Sequence, residues 1–173
     1  GSSINTHMIS DITLLGWFHS IVGILAIASG VYSLGRYWII DVNSMLGKFY
    51  IASTSVVCAS SLFIYNATGS FNLAHILSIL VLGAFVFAYT IDRYPILGRL
   101  TTYLHHLALS ITVYFSLLPT IAEFLTRLPL GDPIAVGIED PMIGSIYGYV
   151  TVGYGLFALF TVLRIYRERK LLY

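Results

Sequence analysis

Two histidines, His19 and His75, lie near the starts of two long apolar segments of this chain. Each is followed by an arginine at a similar distance, since Arg36 lies 17 residues after His19 and Arg93 lies 18 residues after His75. We therefore expect both imidazoles at similar depth in the outer half of a membrane. Neutral imidazole nitrogens on two facing helices can ligate the iron of a b-type haem from opposite sides. The pair predicts a haem b site for electron transfer to or from a quinone or an outer-face redox partner.

Glu123 is the only formal charge within the apolar segments, and it is predicted to lie on the same outer side as the two histidines. Together, His19, His75 and Glu123 form a set of two histidines and one carboxylate, which suits zinc or iron with an open coordination position. The alternative to haem is therefore a non-redox membrane protein that binds zinc or another divalent ion at these residues. A further alternative is a transport or assembly subunit without a cofactor.

The same residues also have structural interpretations. Each histidine could hydrogen-bond a serine, a tyrosine or a backbone carbonyl of a neighbouring helix, and Glu123 could pair with Arg127 at i,i+4 spacing. His105 and His106 are predicted to lie near lipid headgroups. No serine, histidine and carboxylate set has the spacing of a catalytic motif, so the sequence indicates no catalytic residue and leaves open whether the protein is an enzyme.

Small side chains follow His19 at helical spacing, and they give the first apolar segment one narrow face. The residues are Gly23, Ala26, Gly30 and Ser33. Such a face allows the backbone of another helix to approach closely, or it leaves a slot for a flat ligand.

Five long apolar runs must position these residues, and each is about 17 to 21 residues long, as a hydrocarbon core of about 30 Å requires. With 57% hydrophobic and 10% charged residues, a soluble domain of 173 residues would have too little polar surface. The sequence therefore predicts an all-α polytopic membrane protein with five transmembrane helices, arranged as a four-helix core plus a fifth helix. The runs are Leu14–Leu34, Phe49–Tyr65, Leu73–Ile91, Leu104–Phe124 and Ile143–Leu163.

Cationic residues fall mainly in alternate gaps between the runs, and this pattern predicts the orientation of the chain. Arg36 and Lys48 occupy the first gap, Arg93 and Arg99 occupy the third, and four more lie at 164–170. The positive-inside rule then places the N-terminus outside and the C-terminus in the cytoplasm, in the inner (plasma) membrane of a bacterial cell. Because the cations mark topology and the net charge is only +1, the sequence predicts the lipid bilayer, and no nucleic acid, as a partner.

The chain is predicted to form one domain. Residues 1–7 are expected to be an expression scar, and 8–173 a single five-helix transmembrane domain. In the fifth run, Gly144 and Gly148 form a GxxxG motif, which allows close packing on the bundle or on a second copy in a homodimer.

Spans one to four resemble the bacterial domain-of-unknown-function membrane family 2306. The resemblance rests on His19 early in the first span, on Leu46-Gly47-Lys48-Phe49-Tyr50 at the second, and on His105 or His106 at the fourth. Asn43 stands where the second motif has a histidine, and no basic residue follows His106. The resemblance implies a membrane fold and adds no activity. A four-helix core with outer-side histidines is also similar in architecture to small b-type cytochromes of the membrane.

Overall fold

The computed structural model describes residues 14–68, 70–129 and 131–170, with side chains at all of these except 64–68. This part of the chain consists of five helices without strands, and all five are long and apolar enough to cross a membrane. The predicted all-α membrane fold is confirmed. The expected expression scar at residues 1–7 lies outside the described residues. The helices are α1 (Leu14–Tyr37), α2 (Met45–Thr68), α3 (Leu73–Arg93), α4 (Leu100–Arg127) and α5 (Pro141–Lys170).

The first four helices form a closed ring, in which α1 packs on α2, α2 on α3, α3 on α4, and α4 back on α1. Helices α1 and α3 therefore stand at opposite corners, and their backbones do not approach one another within the described residues. Among the described helices, the backbone of α5 approaches α4 alone. This is the predicted four-helix core with a fifth helix beside it.

The two ends of the bundle differ in charge. One end carries the connections 38–44 and 94–99, and Arg36, Lys48, Arg93 and Arg99 lie at or beside them. We call it the basic end, and we call the other the opposite end. Helix α5 has 30 residues, which gives it a length of about 45 Å. Since a hydrocarbon core is about 30 Å thick, the last turn of α5 with its cluster of basic residues extends beyond the core.

Tyr50 lies at the centre of the ring and links α2 to α4. Its side chain is fully buried, and its hydroxyl group hydrogen-bonds the hydroxyl group of Thr112 across the bundle at 2.7 Å. The ring of Tyr50 packs against α1 where Gly30 has no side chain, because a Cβ atom at Gly30 would lie 2.6 Å from the Cε2 atom of Tyr50. At this position the small face of α1 therefore receives an aromatic ring of the protein itself.

Candidate functional site

His19 lies in the second turn of α1 and hydrogen-bonds across to α2. Its Nδ1 atom lies 2.8 Å from the hydroxyl oxygen of Ser60. The Ser60 hydroxyl donates to the carbonyl of Val57 at 2.9 Å, so the Nδ1–H group of His19 donates to Ser60 and the Nε2 atom keeps the ring's lone pair. A hydrogen bond to a serine of a neighbouring helix is the structural interpretation that the sequence allowed for this histidine.

His75 lies in the first turn of α3 and forms part of its N-terminal cap. The side-chain oxygen of Asn72 accepts from the backbone N–H groups of Ala74 and His75, as an N-cap residue does. The backbone N–H of Asn72 donates to the Nδ1 atom of His75 at 3.2 Å, which completes a capping box, and Nδ1 also lies 2.8 Å from the side-chain oxygen of Asn72. The ring is buried and stacks on Phe71, with centroids 5.4 Å apart. His75 therefore has a structural task at the start of a helix.

Both histidines lie at the opposite end of the bundle, as the sequence predicted, but on helices at opposite corners of the ring. His19 is half-buried and His75 is buried, so neither ring is fully turned toward lipid. Glu123 pairs with Arg127 at 2.7 Å, and both side chains are 59% exposed. Within 14–68, 70–129 and 131–170, no three His, Cys, Asp or Glu residues form a group that could hold a metal ion. The predicted set of His19, His75 and Glu123 is therefore not assembled in this structure.

A second group of polar side chains comes together at the basic end. Here the protein forms a half-open cavity of about 190 Å³, which we call the basic-end cavity. It lies between the connection from α1 to α2, the last turn of α3 and the first two turns of α4. Its lining residues are Ile39, Ile40, Asp41, Val42, Asn43, Asp92, Thr101, Thr102, His105 and His106.

The connection from α1 to α2 begins with a sharp reversal at Trp38. This residue has a φ of 67°, in the left-handed region that a bulky side chain seldom adopts. The indole ring stacks on Phe157 of α5 at a centroid distance of 5.9 Å and packs at a tilt against Phe160 at 4.7 Å. Ile40 then enters the core and is fully buried. The reversal and this anchor place the next residue, Asp41, beside the ends of α3 and α4.

Local hydrogen bonds fix the backbone around Asp41. Its carbonyl oxygen accepts from the backbone N–H of Ser44 at 3.1 Å and from the Ser44 hydroxyl at 2.8 Å. Its carboxylate accepts from the backbone N–H of Asn43 at 2.9 Å. The Ser44 hydroxyl oxygen also accepts from the N–H of Gly47, which caps the start of α2. Gly47 leaves room for the Asp41 carbonyl, because a Cβ atom there would overlap it. The glycine of the Leu46-Gly47-Lys48 motif therefore allows the close approach of the Asp41 carbonyl.

The two histidines of α4 line the inner part of the basic-end cavity. His105 is buried, and its Nδ1 atom lies 3.1 Å from the carbonyl oxygen of Ala88 on α3. Because a carbonyl only accepts, the Nδ1–H group donates and the Nε2 atom of His105 keeps a lone pair. The rings of His105 and His106 are nearly perpendicular, with centroids 5.2 Å apart.

Two buried polar atoms of the lining have no hydrogen-bond partner among the described residues. They are the hydroxyl oxygen of Thr101 and the Nδ1 atom of His106. Thr101 is only 8% exposed, so its hydroxyl group is withdrawn from bulk solvent. A buried polar group without a partner costs about 1 to 3 kcal/mol, and proteins seldom keep one without a reason.

The charge of the lining is negative. Asp41 and Asp92 are exposed and form the rim, whereas neither Lys nor Arg is among the lining residues. A cation does reach the cavity wall from α5, because the guanidinium group of Arg169 donates to the hydroxyl oxygen of Thr102. It also donates to the carbonyl of Arg99 at 3.4 Å. Arg169 thereby ties the last turn of α5 to the first turn of α4.

No family model, curated protein or solved structure matches this chain. The resemblance of spans one to four to family 2306 therefore stays a prediction. The interpretation of both sites depends on the residues themselves.

The sequence placed His105 and His106 near lipid headgroups, and it did not connect them with Asp41 and Asp92. The structure buries His105, half-buries His106, and brings both to one cavity with the two carboxylates. Two signals in the sequence point to this arrangement. Asp41 and Asp92 are acidic residues in or beside gaps that otherwise carry cations, and each histidine has a threonine four residues before it, on the same helical face.

A larger cavity of about 390 Å³ lies between α1, α4 and α5. Its lining is apolar and aromatic, with Trp38 and Phe157 at the end that faces the connection from α1 to α2. The hydroxyl groups of its two tyrosines are engaged, because Tyr154 bonds Ser110 at 3.1 Å and Tyr114 bonds Thr151 at 2.7 Å. This cavity has the character of a lipid-facing groove, and it carries no titratable side chain other than these tyrosines.

Proposed function

We propose that this chain is an integral membrane protein that binds a small polar ligand in the basic-end cavity. One observation carries the proposal: two aspartates, two histidines and a buried threonine whose hydroxyl has no partner among the described residues line a single cavity of about 190 Å³. Polar and ionisable side chains are costly in a membrane bundle, and where they converge on a cavity they mark ligand or ion sites.

The size of the cavity limits the ligand. Its volume of about 190 Å³ equals that of about six water molecules at about 30 Å³ each. Pockets for drug-sized molecules usually exceed about 300 Å³. The part of the ligand that lies inside the cavity therefore has few non-hydrogen atoms, and the cavity does not hold a cofactor as large as haem.

The orientation of the protein follows from the positive-inside rule and is part of the proposal. With the basic end in the cytoplasm of a plasma membrane, the ligand enters from the cytoplasm, past Asp41 and Asp92. The opposite end, with Glu123 and Arg127, faces outward.

Thiol accessibility tests the proposal without knowledge of the ligand. In a Cys58→Ala background, we expect Thr101→Cys to react with methyl methanethiosulfonate, a small neutral reagent, because Thr101 lines the cavity. The matched control is Ser110→Cys, which is 2% exposed on the same helix and bonds Tyr154 instead. Labelling at Thr101→Cys no faster than at Ser110→Cys would overturn the proposal.

A haem b between His19 and His75 is the second candidate. It is favoured by one observation, since both imidazoles lie at the same end of the bundle and the Nδ1 atom of each is engaged with a protein group. Haem-ligating histidines commonly bind iron through one nitrogen while the other donates to a protein group. Such a haem would exchange electrons with a quinone or an outer-face partner. Zinc is a weaker alternative here, because the third ligand, Glu123, is engaged with Arg127.

The haem candidate predicts a visible spectrum. Protein produced with haem precursors is expected to show a Soret band and reducible visible bands, and His19→Ala and His75→Ala are each expected to lose them. His106→Ala serves as the control, because His106 lies at the other end of the bundle. A colourless parent protein, or a Soret band that survives both substitutions, would count against haem. A parent protein that is also free of metal would favour a transport or assembly subunit without a cofactor.

A homodimer through α5 is also proposed. A Cβ atom at Gly144 or Gly148 would meet nothing within 4 Å, so this face of α5 is open in the single chain. Small residues at such spacing allow two membrane helices to approach closely. We expect Gly148→Leu to lower the dimer fraction in crosslinking experiments in bilayers, and Gly83→Leu on α3, which is equally open, to leave it unchanged.

A further inference from the structure

We infer that the ligand of the basic-end cavity carries a primary ammonium group on a short chain, as ethanolamine does. This inference rests on the proposed function, and it adds the chemical class of the ligand. It is carried by the charge and the hydrogen-bonding groups of the lining.

The charge of the lining selects for a cation. Asp41 and Asp92 provide two carboxylates at the rim, and neither Lys nor Arg is among the lining residues. An anionic ligand would meet both carboxylates on its way in, and Arg169, the cation that reaches the cavity wall, is engaged with Thr102 and the carbonyl of Arg99. Both carboxylates attract a small cation toward the cavity.

The inner lining supplies acceptors for the three N–H donors of an ammonium group. His105 donates from Nδ1 to Ala88, so its Nε2 atom is an acceptor. Thr101 lines the same cavity, and its hydroxyl oxygen is buried without a partner among the described residues, so a rotation of this side chain toward the ligand makes it a second acceptor. Thr101 is more than nine-tenths buried and lines the cavity, which makes it evidence for a ligand that is independent of the carboxylates.

A bare metal ion fits the cavity less well than an organic cation. No three His, Cys, Asp or Glu side chains in the described ranges form a group that could hold a metal ion. The volume of about 190 Å³ also exceeds what one ion with direct protein ligands occupies, but it accommodates a chain of a few carbon and oxygen atoms beside the nitrogen. The apolar side chains of Ile39 and Val42 line the same cavity and would contact the methylene groups of such a chain.

Calorimetric titration of the full chain in phosphatidylglycerol nanodiscs tests the inference. We expect ethanolamine to bind saturably, and the neutral isostere ethylene glycol and inorganic phosphate to bind at least about tenfold more weakly. Asp92→Asn is expected to weaken ethanolamine binding about tenfold, and the double variant Asp41→Asn with Asp92→Asn to abolish it. The asparagine at position 41 keeps a side-chain oxygen for the N–H of Asn43, so the connection from α1 to α2 should persist.

Asp132→Asn is the matched control, because Asp132 is an exposed carboxylate outside the cavity. We expect it to bind ethanolamine like the parent protein, and thermal unfolding checks that all variants fold. Unchanged ethanolamine affinity in the double variant would overturn the inference. The inference would also be overturned if phosphate or ethylene glycol bound as tightly as ethanolamine. In that case the proposed function would stand if His106→Phe weakened the binding of phosphate or ethylene glycol. If no probe binds and Thr101→Cys is unreactive, both proposals fail.

The ammonium group could belong to a free amine or to a phosphatidylethanolamine headgroup, because the basic-end cavity lies at the membrane surface. Nanodiscs of phosphatidylethanolamine distinguish the two sources. If the headgroup occupies the cavity, these nanodiscs should lower the apparent affinity for free ethanolamine, and the double variant should remove that difference. If free amines are the ligand, the affinity should be the same in both lipids.

Discussion

Gly47→Ala is expected to destabilise the protein by more than about 1 kcal/mol and to weaken ethanolamine binding about tenfold or more. The physical reason is that a Cβ atom at position 47 would overlap the carbonyl group of Asp41, which is backbone and cannot rotate away. The connection from α1 to α2 must therefore shift, and with it the Asp41 carboxylate at the cavity rim. Unfolding in mixed micelles and calorimetric titration measure the two effects.

Gly83→Ala is the control for this substitution. A Cβ atom at Gly83 in α3 would meet nothing within 4 Å, so the same change there should leave binding intact and stability unchanged or slightly higher. If Gly47→Ala behaves like Gly83→Ala in both measurements, the close approach of the Asp41 carbonyl to Gly47 does not position the Asp41 carboxylate.

Gly30→Ala is expected to destabilise the four-helix ring by about 1 to 3 kcal/mol, because it forces an extra methyl group into a filled space. The new Cβ atom would lie 2.6 and 2.9 Å from two ring atoms of Tyr50 and 3.0 Å from a methyl group of Val113. Tyr50 cannot rotate freely, since its hydroxyl group bonds Thr112 and its ring is fully buried. The free energy of unfolding in mixed micelles is the measurement.

Gly23→Ala, two turns earlier on α1, provides the comparison. A Cβ atom there would approach a methyl group of Val57 no closer than 3.8 Å, which is an ordinary contact. We expect this variant to be as stable as the parent protein or more stable. Equal stability of the Gly30 and Gly23 variants would mean that the small face of α1 is not closed by Tyr50.

The five helices could be predicted from the sequence because the bilayer imposes one simple requirement. Each span must be apolar over the thickness of the hydrocarbon core, and this property is local in the sequence. The observed helices run beyond the predicted spans, as α5 does from Pro141 to Lys170, because turns at the membrane surface stay helical with polar side chains. The hydropathy of the residues therefore does not predict those terminal turns.

The basic-end cavity could not be predicted in this way, because it depends on which helices become neighbours and on the path of one connection. His105 meets Ala88 only because α4 packs on α3, and Asp41 reaches them only through the reversal at Trp38. The sequence predicted that His19 and His75 lie at similar depth, and they do share one end of the bundle. The sequence could not tell whether their partners were Ser60 and Asn72 or an iron atom, since the residue types suit either task.

Trp38 connects the fifth helix to the mouth of the basic-end cavity. Its indole ring is clamped on Phe157 and Phe160 of α5, and three residues later the chain presents the carboxylate of Asp41. The fifth helix and the mouth of the cavity thus share one mechanical linkage, although the ring of four helices is closed without α5. A bilayer of different thickness, or a neighbouring protein that tilts α5, would move Trp38 and thereby alter the width of the cavity mouth.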